Sequence, residues 1–578
     1  MLRRFSLLAL LALLLAVPAS AQTGGGATTL LMPAVTYERD VQFTPHGPVV
    51  LNVITAPRPD GSLYRLEPVL SNNAIVGTDT LTSIEKGLSS QETVAAVNGD
   101  YFSANPGNPR GLVVAGGVLD APPADNRSSL GIGPDGALQV AQVSFAGIWK
   151  GSGQRRALTI NEPPSAGPVT LYTPAWGPTT PAESNVVEDV IDSLPPTRAN
   201  TDLTAQVSSV ATAGGVAIPS GGAVLVARGS QAPILQREAP AGQGIFLRMT
   251  LTPDWSGMTG AIGGGPVLVQ NGRPVFRANE TFDPTLLNPR TSRSAVGQLR
   301  DGRILLVTAD GGLPGYSVGM TNFELALALQ RLGAVTAMAL GSGPSAAMAF
   351  DGSLLSRPSG RNEGQVADAL AVVYTGVYAP PPSADVFSPN GDGVADTEQL
   401  SYRLTTPATV TAIVAGGGTR IVLDSSHRDA GTYTFPFTGK RSDGSTLPEG
   451  AYRFTVTASD DQGRASTAER QFSLDDTLAS LAVSPAQARI TRKSRTVLAA
   501  TFTLAEAATV RATIETRGGI VVRTLSTSRM TPGPKRLTWD GRTAAGTLAY
   551  GGPYQVHVHA GNAIGGVDLT APFVARRG

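Results

Sequence analysis

The chain has 578 residues, 67 of them Gly and 43 Pro, with 45 basic and 44 acidic side chains for a net charge of +1. Zero Cys excludes disulfides, thiolate nucleophiles and Cys-ligated metals, and four His in the whole chain argue against a multi-His metal centre. The charge balance excludes an electrostatic nucleic-acid binder, which needs a basic surplus.

Arg3 and Arg4 precede an apolar run from Phe5 to Val17 and then Ala19-Ser20-Ala21. This pattern predicts a signal peptide over residues 1–21, cut after Ala21, and a mature protein that is secreted or periplasmic. The run is shorter than the ~20 residues of a membrane span. No later stretch is long and apolar enough, so no transmembrane segment is expected after cleavage. Residues 22–34 read as a flexible segment.

From Val35 to Tyr378, short β-branched runs alternate with two helix signals. One helix is expected after Thr82, where Thr82 and Glu85 have capping-box spacing ahead of Leu88. The other begins at Thr321 as N-cap, carries Glu324 at the third helical position, and stops at Gly333. Strands are expected at Thr93–Val97, Val169–Tyr172, Ala223–Val226, Ile245–Leu251 and Ile304–Thr308. Residues 35–378 are therefore read as one α+β domain with mixed sheets.

The prolines of Ala379–Ser383 mark a linker over 379–384. Beyond it the chain repeats itself. Phe437-Thr438-Gly439 and Gly450-Ala451-Tyr452 return as Trp539-Asp540-Gly541 and Gly552-Pro553-Tyr554. Alternating strands between turn signals make these two all-β immunoglobulin-like sandwiches, over 385–475 and 482–578. Asn390, Asp392 and Asp396 follow part of an EF-hand pattern whose terminal Glu is missing. Two readings stand there, a structural calcium or an Asx-rich turn. No cofactor is expected for catalysis.

Several Gly-dense polar stretches stand out in the large domain: Ala95–Phe102, Arg127–Gly131, Ala261–Pro266, Arg290–Gly297, Asp310–Gly312 and Gly341–Ser345. Strands ending in such turns let backbone approach a ligand and aim N–H groups at an anion. In this order, with Leu171–Gly177, Leu251–Trp255, Pro314–Thr321, Arg357-Pro358-Ser359 and Val366–Leu370, they resemble the bacterial phosphodiester glycosidase family. That family is related to the uncovering enzyme, a phosphodiester α-N-acetylglucosaminidase. Phe387–Gly393 and Trp539–Arg542 resemble flagellar hook-capping-type immunoglobulin-like domains, which serve as spacers or attachment units.

The resemblance implies hydrolysis of sugar-1-phosphate diesters in surface or extracellular glycopolymers. A phosphoglycan or polysaccharide is then the partner, with cell-surface association through the C-terminal domains. Such a reaction expels a good leaving group, so neutralising phosphate and stabilising an oxocarbenium-like centre are the main demands. Arg127, Arg290 and Arg293 match basic positions of the family and suit phosphate through their planar forks. Asn98, Gly99, Gly264, Thr321, Gly343 and Ser345 complete the expected substrate-binding set. The large domain has one His, His46, so carboxylates are the candidate catalytic groups. They are Asp310 after its strand, Glu324, which the capping box also explains, and Asp100.

Two departures from the family matter. Gly341 stands where the family has Asp, and Pro344 where it has Gly. The Asn98-Gly99-Asp100 turn differs from the commoner Asn-Gly-Gly, and Asp100 is read as restoring a carboxylate. The alternative to an enzyme is a catalytically impaired envelope protein that binds glycan or phosphoglycan.

Overall fold

A computed structural model describes residues 28–578 apart from 90, 91, 166, 276, 277, 288 and 392. The signal peptide and Asp392 lie outside the described residues. The chain divides into two compact units, one built mainly from Val35–Ser90 and Val94–Val373, the other mainly from Tyr374–Gly578.

The large unit is predominantly β, which corrects the expected α+β balance. Helix among its described residues is confined to α1 (Leu81–Ser89), α2 (Ala232–Glu238), α3 (Pro284–Leu287) and α4 (Asn322–Arg331). Glycine and proline recur too often for longer helices, since each breaks or weakens a helix interior. All five expected strands form, within a residue or two of the expected ends. Thr28–Met32, read as part of a flexible segment, is also a strand.

The two helix starts differ. At α4 the capping box is complete: Thr321 Oγ1 accepts from the Glu324 amide, and the Glu324 carboxylate accepts from the Thr321 amide. Gly333 follows in the left-handed region at φ 91°. At α1 no box forms. Thr82 donates its amide and hydroxyl to Glu363, Thr80 Oγ1 caps the Ser83 amide, and Glu85 accepts from Gly352 N at 2.7 Å. Local spacing lost there to longer-range partners.

One eight-stranded sheet runs Thr28–Met32, Val35–Thr44, Gly47–Ala56, Ile304–Ala309, Arg293–Leu299, Ala334–Ala339, Val267–Gln270 and Arg273–Pro274. Leu325 and Leu329 of α4 pack on its Leu51, Val53, Leu305 and Val307. A second eight-stranded sheet is mixed, because Arg156–Ile160 and Val169–Tyr172 pair in parallel. Two five-stranded sheets supply Gly260–Gly263 beside Ser128–Ile132, and Thr93–Asn98 beside Asp368–Tyr374. Tyr172 and Trp176 meet edge-on at 4.9 Å in the core, so that stretch works in packing.

These registers bring the Gly-rich strand ends together. Gly341 N donates to Gly99 O at 2.8 Å, and Leu340 N to Ser294 O at 2.9 Å. Gly265 N reaches Ala339 O, Gly343 N reaches Ser292 O and Gly99 N reaches Asp368 O, each at 2.9 Å.

The second unit holds two β-sandwiches with separate cores. Each carries the same aromatic arrangement. Phe437, Tyr452 and Phe472 in the first correspond to Trp539, Tyr554 and Phe573 in the second. Each tyrosine hydroxyl donates to a carbonyl four residues upstream, Tyr452 to Pro448 and Tyr554 to Tyr550. The Pro-rich linker is anchored: Ala379 is buried in the first sandwich core, and Ser383 and Ala384 donate to Glu398. In the calcium candidate, Asp396 accepts from the Gly391 and Gly393 amides, one on each oxygen, and Asn390 donates to Ser388 Oγ and Leu478 O. Asp396 thus caps amides of the turn that precedes it.

Candidate functional site

Asn98 ends its strand fully buried and knots three loops. Its Nδ2 donates to Gly341 O at 3.0 Å, while Oδ1 accepts from Ser294 Oγ at 2.6 Å and from Ala347 N at 3.1 Å. Both ends of the amide are spent, so Asn98 positions the site's backbone.

Two residues on, Asp100 is buried against backbone that only glycine permits. A Cβ added at Gly263 would fall 2.5 Å from Asp100 Oδ2, and one at Gly111 would fall 2.8 Å from it. Asp100 Oδ1 accepts from Arg127 Nη2 at 2.8 Å. Arg127 also donates to Gly264 O from Nε and Nη2, and its guanidinium lies 5.0 Å from the Tyr101 ring centre and 4.7 Å from that of Phe282. Asp368 Oδ1 accepts the Asp100 amide at 2.8 Å. Burial pushes Asp368 well above the usual carboxylate range, and the Asp100 carboxylate pushes it further. Burial also raises Asp100, but Arg127 opposes it there. Of the two carboxyls, Asp100 has a cation beside it, and Asp368 has the Asp100 carboxylate as its neighbour.

Arg293 is 1% exposed and serves carbonyls. Nε donates to Met320 O, Nη1 to Leu286 O, and Nη2 to Leu287 O and Pro289 O. Of the five N–H groups on a guanidinium, four are committed. Arg290 donates to Gly319 O and pairs with Glu324 at 2.5 Å. Burial raises Glu324, yet Arg290 and Thr321 outweigh it and hold its carboxyl below the ordinary value. Both Glu324 oxygens are occupied, Oε1 by Arg290 and Oε2 by the Thr321 amide and hydroxyl.

Asp310 follows Ile304–Ala309 and is 2% exposed. Its Oδ1 accepts from Asn52 Nδ2 at 3.0 Å and Arg357 N at 3.1 Å, and its Oδ2 accepts from the Tyr316 hydroxyl at 3.0 Å. Burial raises its carboxyl above the ordinary range, against the pull of these donors and of Arg39. A buried carboxyl raised above its ordinary range and fixed by donors on both oxygens is a candidate for proton transfer.

The remaining expected residues are placed as follows. Gly264 supplies the carbonyl held by Arg127, and a Cβ there would lie 2.5 Å from Met338 Cε. Gly343–Ser345 form a single 3-10 turn, with Ser345 half-buried. Thr321 lines a cleft of about 480 Å³ with Pro266, Leu268, Glu280, Leu287 and Phe323. Glu280, which the sequence did not single out, accepts from Ser128 N, Ser128 Oγ and Val267 N. Asp368 and Tyr316 also went unassigned, although both sit inside stretches that carried the resemblance. Tyr316 was findable as an aromatic hydroxyl six residues past Asp310. Arg39 gave no signal, because an exposed arginine on an alternating strand is ordinary.

Residues 198–373, within the large unit, match the family model described as phosphodiester glycosidase. Residues 488–563 match the FlgD Ig-like domain, which lies in the second sandwich. Among solved structures, a hypothetical protein from Synechocystis is similar at 27% identity and a TM-score of 0.52, over 61% of this chain and 64% of that one. The chain thus spans less than two thirds of that protein's length. A protein of Burkholderia pseudomallei shares 22% identity over 56% of this chain and 74% of its own, at a TM-score of 0.45. The catalytic domain of zebrafish N-acetylglucosamine-1-phosphodiester alpha-N-acetylglucosaminidase, auto-inhibited by its pro-peptide, aligns at 14% identity and a TM-score of 0.30, over 62% of this chain and 88% of that one. No curated protein matches.

Proposed function

We propose that the protein is an exported phosphodiester glycosidase-like hydrolase that cleaves sugar-1-phosphate diesters in surface or extracellular glycopolymers. The observation that carries this reading is Asp310, a buried carboxyl with raised pKa at the end of a strand in the matched domain. Water adds to the anomeric carbon as the bond from that carbon to the phosphate oxygen breaks. The electron pair leaves with the phosphate monoester, and Asp310 takes the proton released by the water. Glu324 and Asp100 are less suited to that task, because each is ion-paired with an arginine, Arg290 in one case and Arg127 in the other, which favours the charged carboxylate and weakens it as a base. We assign Arg127, Arg290 and Arg293 to shaping the loops that surround the substrate. Export rests on the N-terminal sequence pattern, and surface association is proposed for the two sandwiches. Structural calcium at Asn390 and Asp396 remains a proposal, since each Asp396 oxygen keeps a lone pair beyond its one amide bond.

The impaired-binder alternative is favoured by Gly341. A Cβ there would lie 2.9 Å from Asp100 O and 2.9 Å from Asn98 Nδ2. The loops have closed over the place where the family's Asp would stand. Purified full-length protein offered an activated sugar phosphodiester separates the two readings. Turnover lost in Asp310→Asn supports the hydrolase, and binding without turnover supports the binder.

A further inference from the structure

Two arginines lie against the Tyr316 ring. The Arg39 guanidinium carbon is 5.5 Å from its ring centre and that of Arg357 is 4.6 Å away. Arg39 Nη2 donates to the Tyr316 hydroxyl at 2.9 Å, and that hydroxyl donates to Asp310 Oδ2 at 3.0 Å. Both arginines are exposed, and among the described residues neither meets a carboxylate within ion-pair distance.

The contrast with the other arginines of this region decides what the pair can do. Arg293 has spent four of its five donors on carbonyls, and Arg127 is tied to Asp100 and Gly264. Arg39 has spent one donor, on Tyr316, and Arg357 makes its one bond through its backbone amide. Stacking on an aromatic face holds a guanidinium in place while leaving its N–H edge open. Two such edges around one ring, with a net positive charge beside Asp310, suit a dianionic or diester phosphate, which takes paired N–H donors. Gly311, next to Asp310, accepts from Ser292 Oγ at 3.2 Å, so the pair joins the same assembly of loops.

We propose that Arg39 and Arg357, stacked on Tyr316 beside Asp310, bind the phosphoryl group of a phosphate-substituted sugar. The assignment rests on the hydrolase reading for its substrate class, but its test does not need turnover. Binding of glucose 1-phosphate, inorganic phosphate and glucuronate to the full-length protein is measured by calorimetry at low salt. The wild type, Arg39→Ala, Arg357→Ala and the double variant are compared, with melting curves for each.

Glucose 1-phosphate is expected to bind the wild type, to lose about tenfold in affinity in each single variant and on the order of a hundredfold in the double variant, with unchanged melting. Should a variant melt early, Arg39→Lys and Arg357→Lys keep the charge without the fork, and weakened binding is still expected. Unchanged affinity in the double variant overturns the site, and so does glucuronate binding as tightly as glucose 1-phosphate. If the double variant loses binding while the wild type turns over no diester, the phosphoryl site stands and the hydrolase reading fails. If the wild type hydrolyses diester and the double variant keeps KM and binding unchanged, the reverse holds.

Discussion

Arg127 and Asp100 form an ion pair of 2.8 Å whose side chains are 10% and 1% exposed. Removing one partner of such a pair leaves a buried charge uncompensated, at a cost of about 3–5 kcal/mol. Asp100→Asn and Arg127→Met are each expected to lose stability on that scale in denaturant unfolding. The double variant should recover part of the loss, because no charge then remains unpaired. Strict additivity of the two losses would contradict the pair.

Arg293 is expected to behave as a loop clamp. Arg293→Ala strands the carbonyls of Leu286, Leu287, Pro289 and Met320, and the loss should reach at least about 3 kcal/mol. Limited proteolysis should then cut near α3 faster than in the wild type. A variant that melts and resists protease like the wild type would show that the carbonyl bonds are dispensable.

Gly341 makes a prediction through its absent side chain. With Asp100 O and Asn98 Nδ2 both 2.9 Å from the nearest place for a Cβ, Gly341→Ala should cost about 1–3 kcal/mol through overpacking. Gly341→Asp should cost at least as much, so the family's Asp cannot be restored here without moving the turn at Asn98–Asp100. Undiminished melting in Gly341→Ala would mean that the loop gives way freely.

Buried acids set the sign of the pH dependence. Burial lifts Glu85 to about 8, and Asp120 and Asp189 each to about 7. The folded chain keeps these protons while the unfolded chain has already released them above ordinary carboxylate values, so stability falls as pH rises through that window. For Glu85 the window runs from about 4.5 to about 8, at up to about 1.4 kcal/mol per pH unit. Glu85→Gln keeps an acceptor for Gly352 N and should gain on the wild type as pH is raised from about 5 to about 8. A constant difference across that range would rule out the coupling.

Much of the fold was legible because it is written locally. The capping box at Thr321, the left-handed Gly333 and the strands with alternating or continuous apolar runs all formed as the residues dictate. The repeat was equally plain, since Phe437 and Trp539 recur with the same tyrosine after them. The box at Thr82 failed because Glu363 and Gly352, distant in sequence, offered better partners. The balance of helix to sheet was misjudged for the same reason: short Gly-bounded runs become strands once neighbours pair with them. At the site, the resemblance found the loops that converge but not the partners of their side chains. Nothing in the sequence said that Arg293 would face four carbonyls while Arg39 would spend a single donor, on Tyr316. Commitment of donors is a property of three-dimensional neighbours.

The most direct measurement is release of phosphate monoester from an activated sugar-1-phosphodiester by the full-length protein, wild type against Asp310→Asn. The account predicts turnover by the wild type and a loss of at least about a hundredfold in kcat for Asp310→Asn, with KM little changed, as removing general acid–base assistance entails. Equal rates for the two proteins would contradict it.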